Sequence, residues 1–220
     1  MCVKHSLALQ PKARQIFCAS DLAAIQRAAT TIRNGGIVAY PTDTVYGLGA
    51  NVFLPQALDK VMEAKRRPDE KSLPVLIGDQ AHLGELVTSI PQDARRLMDV
   101  FWPGALTIVL TKQPHLSPLL GEATLAVRQP NHAAVLALLA AAGCPLTGTS
   151  ANRSGCPPAT TAEDAQEQLG EGVDLILDGG PATGNTPSTV LDCTVQPARI
   201  LREGAVTRSA LAAVLGDLAP

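Results

Sequence analysis

The sequence predicts an α/β fold: a single domain in which one twisted sheet of mixed parallel and antiparallel strands is flanked by helices. Three observations carry this expectation. Capped stretches of helical period alternate with short β-rich apolar runs along most of the 220 residues. The last two β-rich runs have no helix between them, which calls for antiparallel pairing in part of the sheet. The chain is 46% hydrophobic, enough for a sizeable core. No internal repeat or Pro/Gly/Ser-rich linker divides it.

Residues 1–19 read as an irregular leader, 20–206 as the domain, and 207–220 as a short terminal helix and tail. Ser20 and Asp21 offer an N-cap, Leu22, Ile25, Ala29 and Ile32 recur at helical spacing, and Gly35 with Gly36 ends the run. Ile37 to Tyr40 is a short strand stopped by Pro41, followed by a loop containing Gly47 and Gly49. Pro55 to Arg66 is the next helix, Leu73 to Ile77 a strand, Gln92 to Phe101 a helix stopped by Pro103 and Gly104, and Leu106 to Thr111 a strand. Leu125 to Arg128 reads as extended, Ala133 to Ala142 as helical, and Leu146 to Thr149 as extended. Thr161 to Leu169 is a helix capped by Thr160 or Thr161, and Leu175 to Leu177 a strand. Strands Thr189 to Cys193 and Arg199 to Arg202 precede a terminal helix over Thr207 to Leu215.

Composition narrows the function classes. Eighteen Lys and Arg against twenty Asp and Glu give a net charge of −2, without the cationic excess of a protein that grips nucleic acid over its whole surface. Aromatic residues are 3% of the chain, with Trp102 the single tryptophan, so stacking platforms for single strands are scarce. The longest apolar run, Ala133 to Ala142, is too short to span a bilayer. No secretory signal pattern opens the chain, so a cytoplasmic location is expected. Five scattered cysteines with no Cys-x-x-Cys pair read as reduced thiols, and no metal site is expected.

Chemistry gathers at strand ends. Pro41-Thr42-Asp43-Thr44-Val45-Tyr46-Gly47-Leu48-Gly49 carries more hydroxyls and charge than a plain turn needs, where the carboxyl end of a strand would show them to a ligand. Lys65-Arg66-Arg67-Pro68-Asp69-Glu70-Lys71 follows a helix and concentrates four cations in seven residues. A solvated charge run is the plain reading; anion binding is the sharper one. Nothing matches a P-loop. Thr147 to Gly155 and Asn185 to Val190 are two more loops of small and hydroxyl residues, and Arg128 and Arg202 each end an apolar strand.

These blocks resemble one family. Pro41 to Leu48, Lys65-x-Arg67, Phe101-Trp102-Pro103-Gly104, Val127-Arg128, Ser150-Ala151-Asn152 with Ser154-Gly155, Asp178-Gly179-Gly180, Ser188-Thr189-Val190 and Leu201-Arg202 follow the order and spacing of the YrdC/Sua5 family. The likeness spans about residues 20–206. It implies a YrdC-like domain and an L-threonylcarbamoyladenylate synthase, a nucleotidyltransferase. Such enzymes make threonylcarbamoyl-AMP and pyrophosphate from L-threonine, bicarbonate and ATP, for N6-threonylcarbamoyladenosine at position 37 of tRNA. It implies that Thr44, Arg128, Gly148 and Ser188 hold threonine, and that Arg67, Lys71, Thr124, Ser150, Asn152 and Arg202 hold ATP. Lys65 and Arg67 are the implied catalytic cations. Mg2+ is expected to arrive with ATP, tRNA threonylcarbamoyl-transferase proteins to take the product, and tRNA to bind at most transiently. Leu76 and Pro158 depart from the family pattern, standing where some members carry a histidine and a serine. The chain length suits the single-domain TsaC type of the family rather than the branch with an appended domain.

The residues suit that chemistry. Amine attack on carbon dioxide or bicarbonate, then carbamate attack on the α-phosphorus, asks for positioning and charge stabilisation. No covalent nucleophile is required, and no Ser-His-Asp or Cys-His set presents itself. The rival reading is a YrdC-like paralogue that mainly binds RNA or nucleotide. Carbamoyl transfer of the hydrogenase-maturation kind would call for zinc-finger cysteine pairs that this sequence lacks.

Overall fold

The computed structural model describes residues 16–66, 72–182, 184 and 186–219. Along the chain come β1 (Ile16–Cys18), α1 (Leu22–Arg33), β2 (Val38–Tyr40), β3 (Gly47–Gly49), α2 (Pro55–Lys65), β4 (Val75–Leu76) and α3 (Leu83–Leu86). Then follow α4 (Gln92–Phe101), β5 (Leu106–Thr111), β6 (Thr124–Arg128), α5 (Ala133–Ala142), β7 (Leu146–Thr147), β8 (Thr149–Ser150) and α6 (Ala162–Leu169). The last elements are β9 (Leu175–Asp178), β10 (Thr189–Asp192), β11 (Arg199–Arg202) and α7 (Arg208–Leu215).

The strands form two sheets where the sequence suggested one. Five lie in the order β1-β9-β2-β3-β8 and six in the order β11-β10-β5-β6-β4-β7. Both are mixed: β2 and β9 run parallel, as do β5 and β10, while β2 with β3 and β5 with β6 are antiparallel. Several strands have only two or three residues, too few to reveal in the sequence which sheet they join. The predicted strand Leu146 to Thr149 divides at Gly148. β7 pairs with β4 in the larger sheet, and β8 pairs with β3 in the smaller one.

A glycine is needed at that corner. A Cβ on Gly148 would stand 2.6 Å from Leu76 Cγ. Its N–H donates to the Pro74 carbonyl at 2.7 Å, which draws the two backbones together. Thr147 ties the crossing to the smaller sheet: its hydroxyl donates to Leu48 O at 2.8 Å and accepts from the Ala50 N–H at 3.0 Å. The Tyr40 hydroxyl donates to Thr147 O at 2.6 Å, and its burial pushes the phenol above the ordinary range.

Two further expectations change. Gly47 and Gly49, read as loop, form β3, where their missing side chains leave room for the Tyr40 ring. Ile16 to Cys18, read as irregular leader, is an edge strand parallel to β9; residues 1–15 lie outside the described residues.

Helix ends agree with their sequence signals. Asp21 caps α1 through the Ala23 N–H, Thr161 and Asp164 form a reciprocal capping box on α6, and Thr207 caps α7. Burial divides into two apolar cores. In one, Ala28, Ala29 and Ile32 of α1 meet Leu138 and Leu139 of α5 over Val38 and Tyr40. In the other, α2 and α4 cover Ile108, Leu110, Leu125, Val127 and Leu191 of the larger sheet. Because side chains alternate along a strand, the opposite face of β5, β6 and β10 is left open, and that face holds the site.

Candidate functional site

A cleft of about 310 Å³ lies on this open face. Its floor comes from β5, β6 and β10 through Thr107, Ala126, Arg128, Ser188 and Val190. Thr44 and Val45 enter from the β2–β3 loop, and Gly148, Thr149 and Ser150 from the sheet crossing. Arg202 of β11 and Pro187 line it too, as do Leu76 and Pro158, which offer apolar contact where a histidine or serine would form hydrogen bonds.

Six residues expected from the sequence therefore share one cavity: Thr44, Arg128, Gly148, Ser150, Ser188 and Arg202. Thr124 lies on the same face of β6 as Ala126 and Arg128, exposed and one side-chain repeat beyond the cleft lining. Arg67 and Lys71 lie outside the described residues, as does Asn185.

Lys65 and Asn152 sit behind the cleft wall. Lys65 is 1% exposed, and its ammonium donates to the carbonyls of Ser150 and Asn152, the latter at 2.7 Å. The Asn152 amide donates to Arg153 O at 2.9 Å and Cys156 O at 2.7 Å. Both side chains clamp the loop that presents Ser150, and neither Lys65, expected as a catalytic cation, nor Asn152, expected to hold ATP, lines this cavity. The sequence could not reveal this, because a lysine at a helix end reads the same whether it turns outward or inward.

Arg128 is the most constrained cation. Its Nε donates to Gly104 O at 2.8 Å, Nη1 to the Thr44 hydroxyl at 3.0 Å, and Nη2 to Asp43 Oδ1 at 2.6 Å. Burial lowers its pKa and the Asp43 carboxylate opposes that, leaving a guanidinium charged at any working pH. Three of its five N–H groups are engaged, so two remain for an anionic ligand. Arg202 turns Nε and Nη2 on Ser188 O, at 3.2 and 2.8 Å, which leaves both N–H groups of Nη1 for a second anion.

The loops around the cleft are internally braced. The Thr42 hydroxyl donates to Val45 O at 2.6 Å and lies 3.0 Å from that of Thr44. The Tyr46 hydroxyl donates to Gly180 O at 2.7 Å and accepts from the Gly179 N–H at 3.1 Å; burial pushes its pKa up to about 12. That bond ties the first motif to Asp178-Gly179-Gly180. Sequence reasoning missed Thr107 and the pairing of Asp43 with Arg128. For Thr107 a signal existed, since it alternates with Val109 and Thr111 on one face of an otherwise apolar strand.

Among the described residues no cluster of three or more His, Cys, Asp or Glu side chains could hold a metal ion. Nor is any helix among them long and apolar enough to cross a membrane.

Comparison with known proteins gives the site a context. A family model named Sua5_yciO_yrdC, described as "Telomere recombination", matches residues 30–204. A Bacillus subtilis protein named threonylcarbamoyl-AMP synthase is 42% identical over 197 residues, covering 88% of this chain and 57% of its own length. A Mycobacterium tuberculosis protein named putative threonylcarbamoyl-AMP synthase is 41% identical over 194 residues, covering 87% of this chain and 89% of its own. The crystal structure of Pyrococcus abyssi Sua5 complexed with L-threonine superimposes with a TM-score of 0.88 at 36% identity, covering 93% of this chain and 61% of that one. E. coli YciO superimposes with a TM-score of 0.78 at 29% identity, covering 87% and 96%. The chain thus spans little more than half of the B. subtilis and P. abyssi proteins and most of the other two. With its fold, its strand-end motifs and the match over residues 30–204 in agreement, the chain belongs to the Sua5/YciO/YrdC family.

Proposed function

We propose that this protein is an L-threonylcarbamoyladenylate synthase, which joins L-threonine, bicarbonate and ATP into threonylcarbamoyl-AMP and pyrophosphate for the N6-threonylcarbamoyladenosine modification of tRNA. One observation carries the reading: a single cleft collects the strand-end hydroxyls and guanidinium expected for threonine together with Ser150 and Arg202, two of the residues expected for ATP. The names of the relatives, and the L-threonine in the P. abyssi Sua5 crystal structure, support it.

The two spare N–H groups of Arg128 would take the amino-acid carboxylate as a planar fork, with Thr44 and Ser188 beside it. Bicarbonate loses hydroxide to give carbon dioxide; the substrate amine then forms a C–N bond to that carbon and releases a proton, which leaves with the hydroxide as water. A carbamate oxygen next bonds to the α-phosphorus of ATP while the bond to the pyrophosphate leaving group breaks. In this reading the chain acts by alignment and charge, which places it among the nucleotidyltransferases. Arg202, through its free Nη1, and Ser150 would take the nucleotide from the same cleft, and the family resemblance assigns Arg67, Lys71 and Thr124 to ATP as well. Lys65 and Asn152 hold the loop from which Ser150 projects. Mg2+ bound to the triphosphate would need few protein ligands and would supply neutralisation of the phosphate charge.

The labile product would pass in the cytoplasm to a tRNA threonylcarbamoyl-transferase, with tRNA touching this chain at most transiently. The decisive experiment incubates the protein with ATP, Mg2+, bicarbonate and labelled threonine. Threonylcarbamoyl-AMP detected by mass, with threonine-dependent release of pyrophosphate, is the expected result. Pyrophosphate release that ignores threonine would overturn the proposal.

A further inference from the structure

Thr107 belongs to none of the motifs that carry the family resemblance, yet it is buried on the cleft floor beside Ser188. Their hydroxyl oxygens are 2.8 Å apart, with only 5% and 7% of the two residues exposed. Arg202 Nη2 lies 3.3 Å from Ser188 Oγ, and a guanidinium can only donate, so one Ser188 lone pair is filled from outside the pair. The bond between the two hydroxyls consumes one of their two protons. Whichever oxygen gives it, the pair still offers the cleft one O–H donor and an acceptor lone pair side by side.

That is the complement of another hydroxyl, which itself donates one proton and accepts another. A methyl group would leave both halves of the pair unmatched, and a carboxylate would leave the acceptor unmatched. Thr44 is placed differently: its oxygen accepts from Arg128 Nη1 and lies 3.0 Å from the Thr42 hydroxyl, which donates to Val45 O and accepts from the Thr44 and Val45 N–H groups.

We infer that Thr107, acting through Ser188, is a positioning residue that selects an amino acid bearing a side-chain hydroxyl. The inference rests on the proposed activity and names the element within it that separates threonine from a shape-matched apolar amino acid. The carboxylate is left to Arg128 on the neighbouring strand.

The test uses the full chain with threonine and with valine, which puts a methyl where threonine has its hydroxyl. Thr107→Val keeps the volume and β-branching of a strand residue, and Thr107→Ser keeps only the hydroxyl. Wild-type protein should prefer threonine over valine by about a hundredfold or more in kcat/KM for pyrophosphate release. T107V should lose about tenfold of that preference, chiefly through a higher KM for threonine, with KM for ATP within about threefold of wild type. T107S should keep the preference. Unchanged discrimination in T107V would overturn the inference, as would an equal loss toward both amino acids or a T107S as unselective as T107V. A wild-type protein that releases no pyrophosphate with threonine overturns the proposed activity and this inference with it.

Discussion

Replacing Lys65 with methionine tests whether that residue acts as a clamp. Methionine fills about the same apolar volume along the stem, so the perturbation is loss of the ammonium alone. Two carbonyls, those of Ser150 and Asn152, then lose a charged donor in a place where the lysine is 1% exposed. Leaving each without this partner costs about 1–3 kcal/mol. Part of that sum is returned because an ammonium no longer has to be kept out of water. We expect a net loss of about 2–4 kcal/mol, a sizeable share of the 5–15 kcal/mol typical of a folded domain but not all of it. At this chain length that corresponds to a fall in Tm of about 4–16 °C. The assay is urea unfolding followed by far-UV circular dichroism, with thermal melts alongside. Threonine-dependent pyrophosphate release measured on the still-folded variant should show a clear rise in KM for substrate as the Ser150 loop loosens. A K65M protein within 0.5 kcal/mol of wild type, a difference typical of an uninvolved surface site, with unchanged KM values would refute the reasoning.

Two further outcomes follow from packing and capping. Gly148→Ala places a Cβ 2.6 Å from the Cγ of the buried Leu76, so it should cost about 1–3 kcal/mol in urea unfolding and weaken threonine binding. Adding Leu76→Ala should recover part of the loss, and simple additivity of the two changes would count against the contact. Asp164 accepts from the Thr160 and Thr161 N–H groups and the Thr160 hydroxyl, bonds that hold its pKa below the ordinary carboxylate value. Asp164→Asn should therefore cost about 0.5–2 kcal/mol at neutral pH. Because the folded state binds this proton less tightly than the unfolded chain, the wild-type advantage holds above about pH 5 and fades as the pH falls through the lowered pKa. A gap between the two proteins that persists undiminished at pH 2.5 would show that the capping box is not its source.

The sequence by itself determined where most elements begin and end. Caps and glycine stops are local, so Asp21 and Thr161 can be recognised without knowing what the helices pack on. It also determined that hydroxyls and cations collect at strand ends, and six of the residues it singled out do meet in one cleft. What it left open depends on contacts between distant segments. Leu146 to Thr149 is one extended run in the sequence, and only the approach of Leu76 to Gly148 decides that it turns from one sheet into the other. Gly47 and Gly49 carry the signature of a loop until the Tyr40 ring occupies the space beside them. Lys65 stands next to the exposed Arg66 in one basic motif, and tertiary structure alone turns its ammonium inward to the carbonyls of Ser150 and Asn152. Thr107 looks like an ordinary β-branched strand residue until β10 sets Ser188 beside it. A hydrogen bond has direction and short range, so which groups share one is decided by the fold, whereas the need for partners is already written in the residue types.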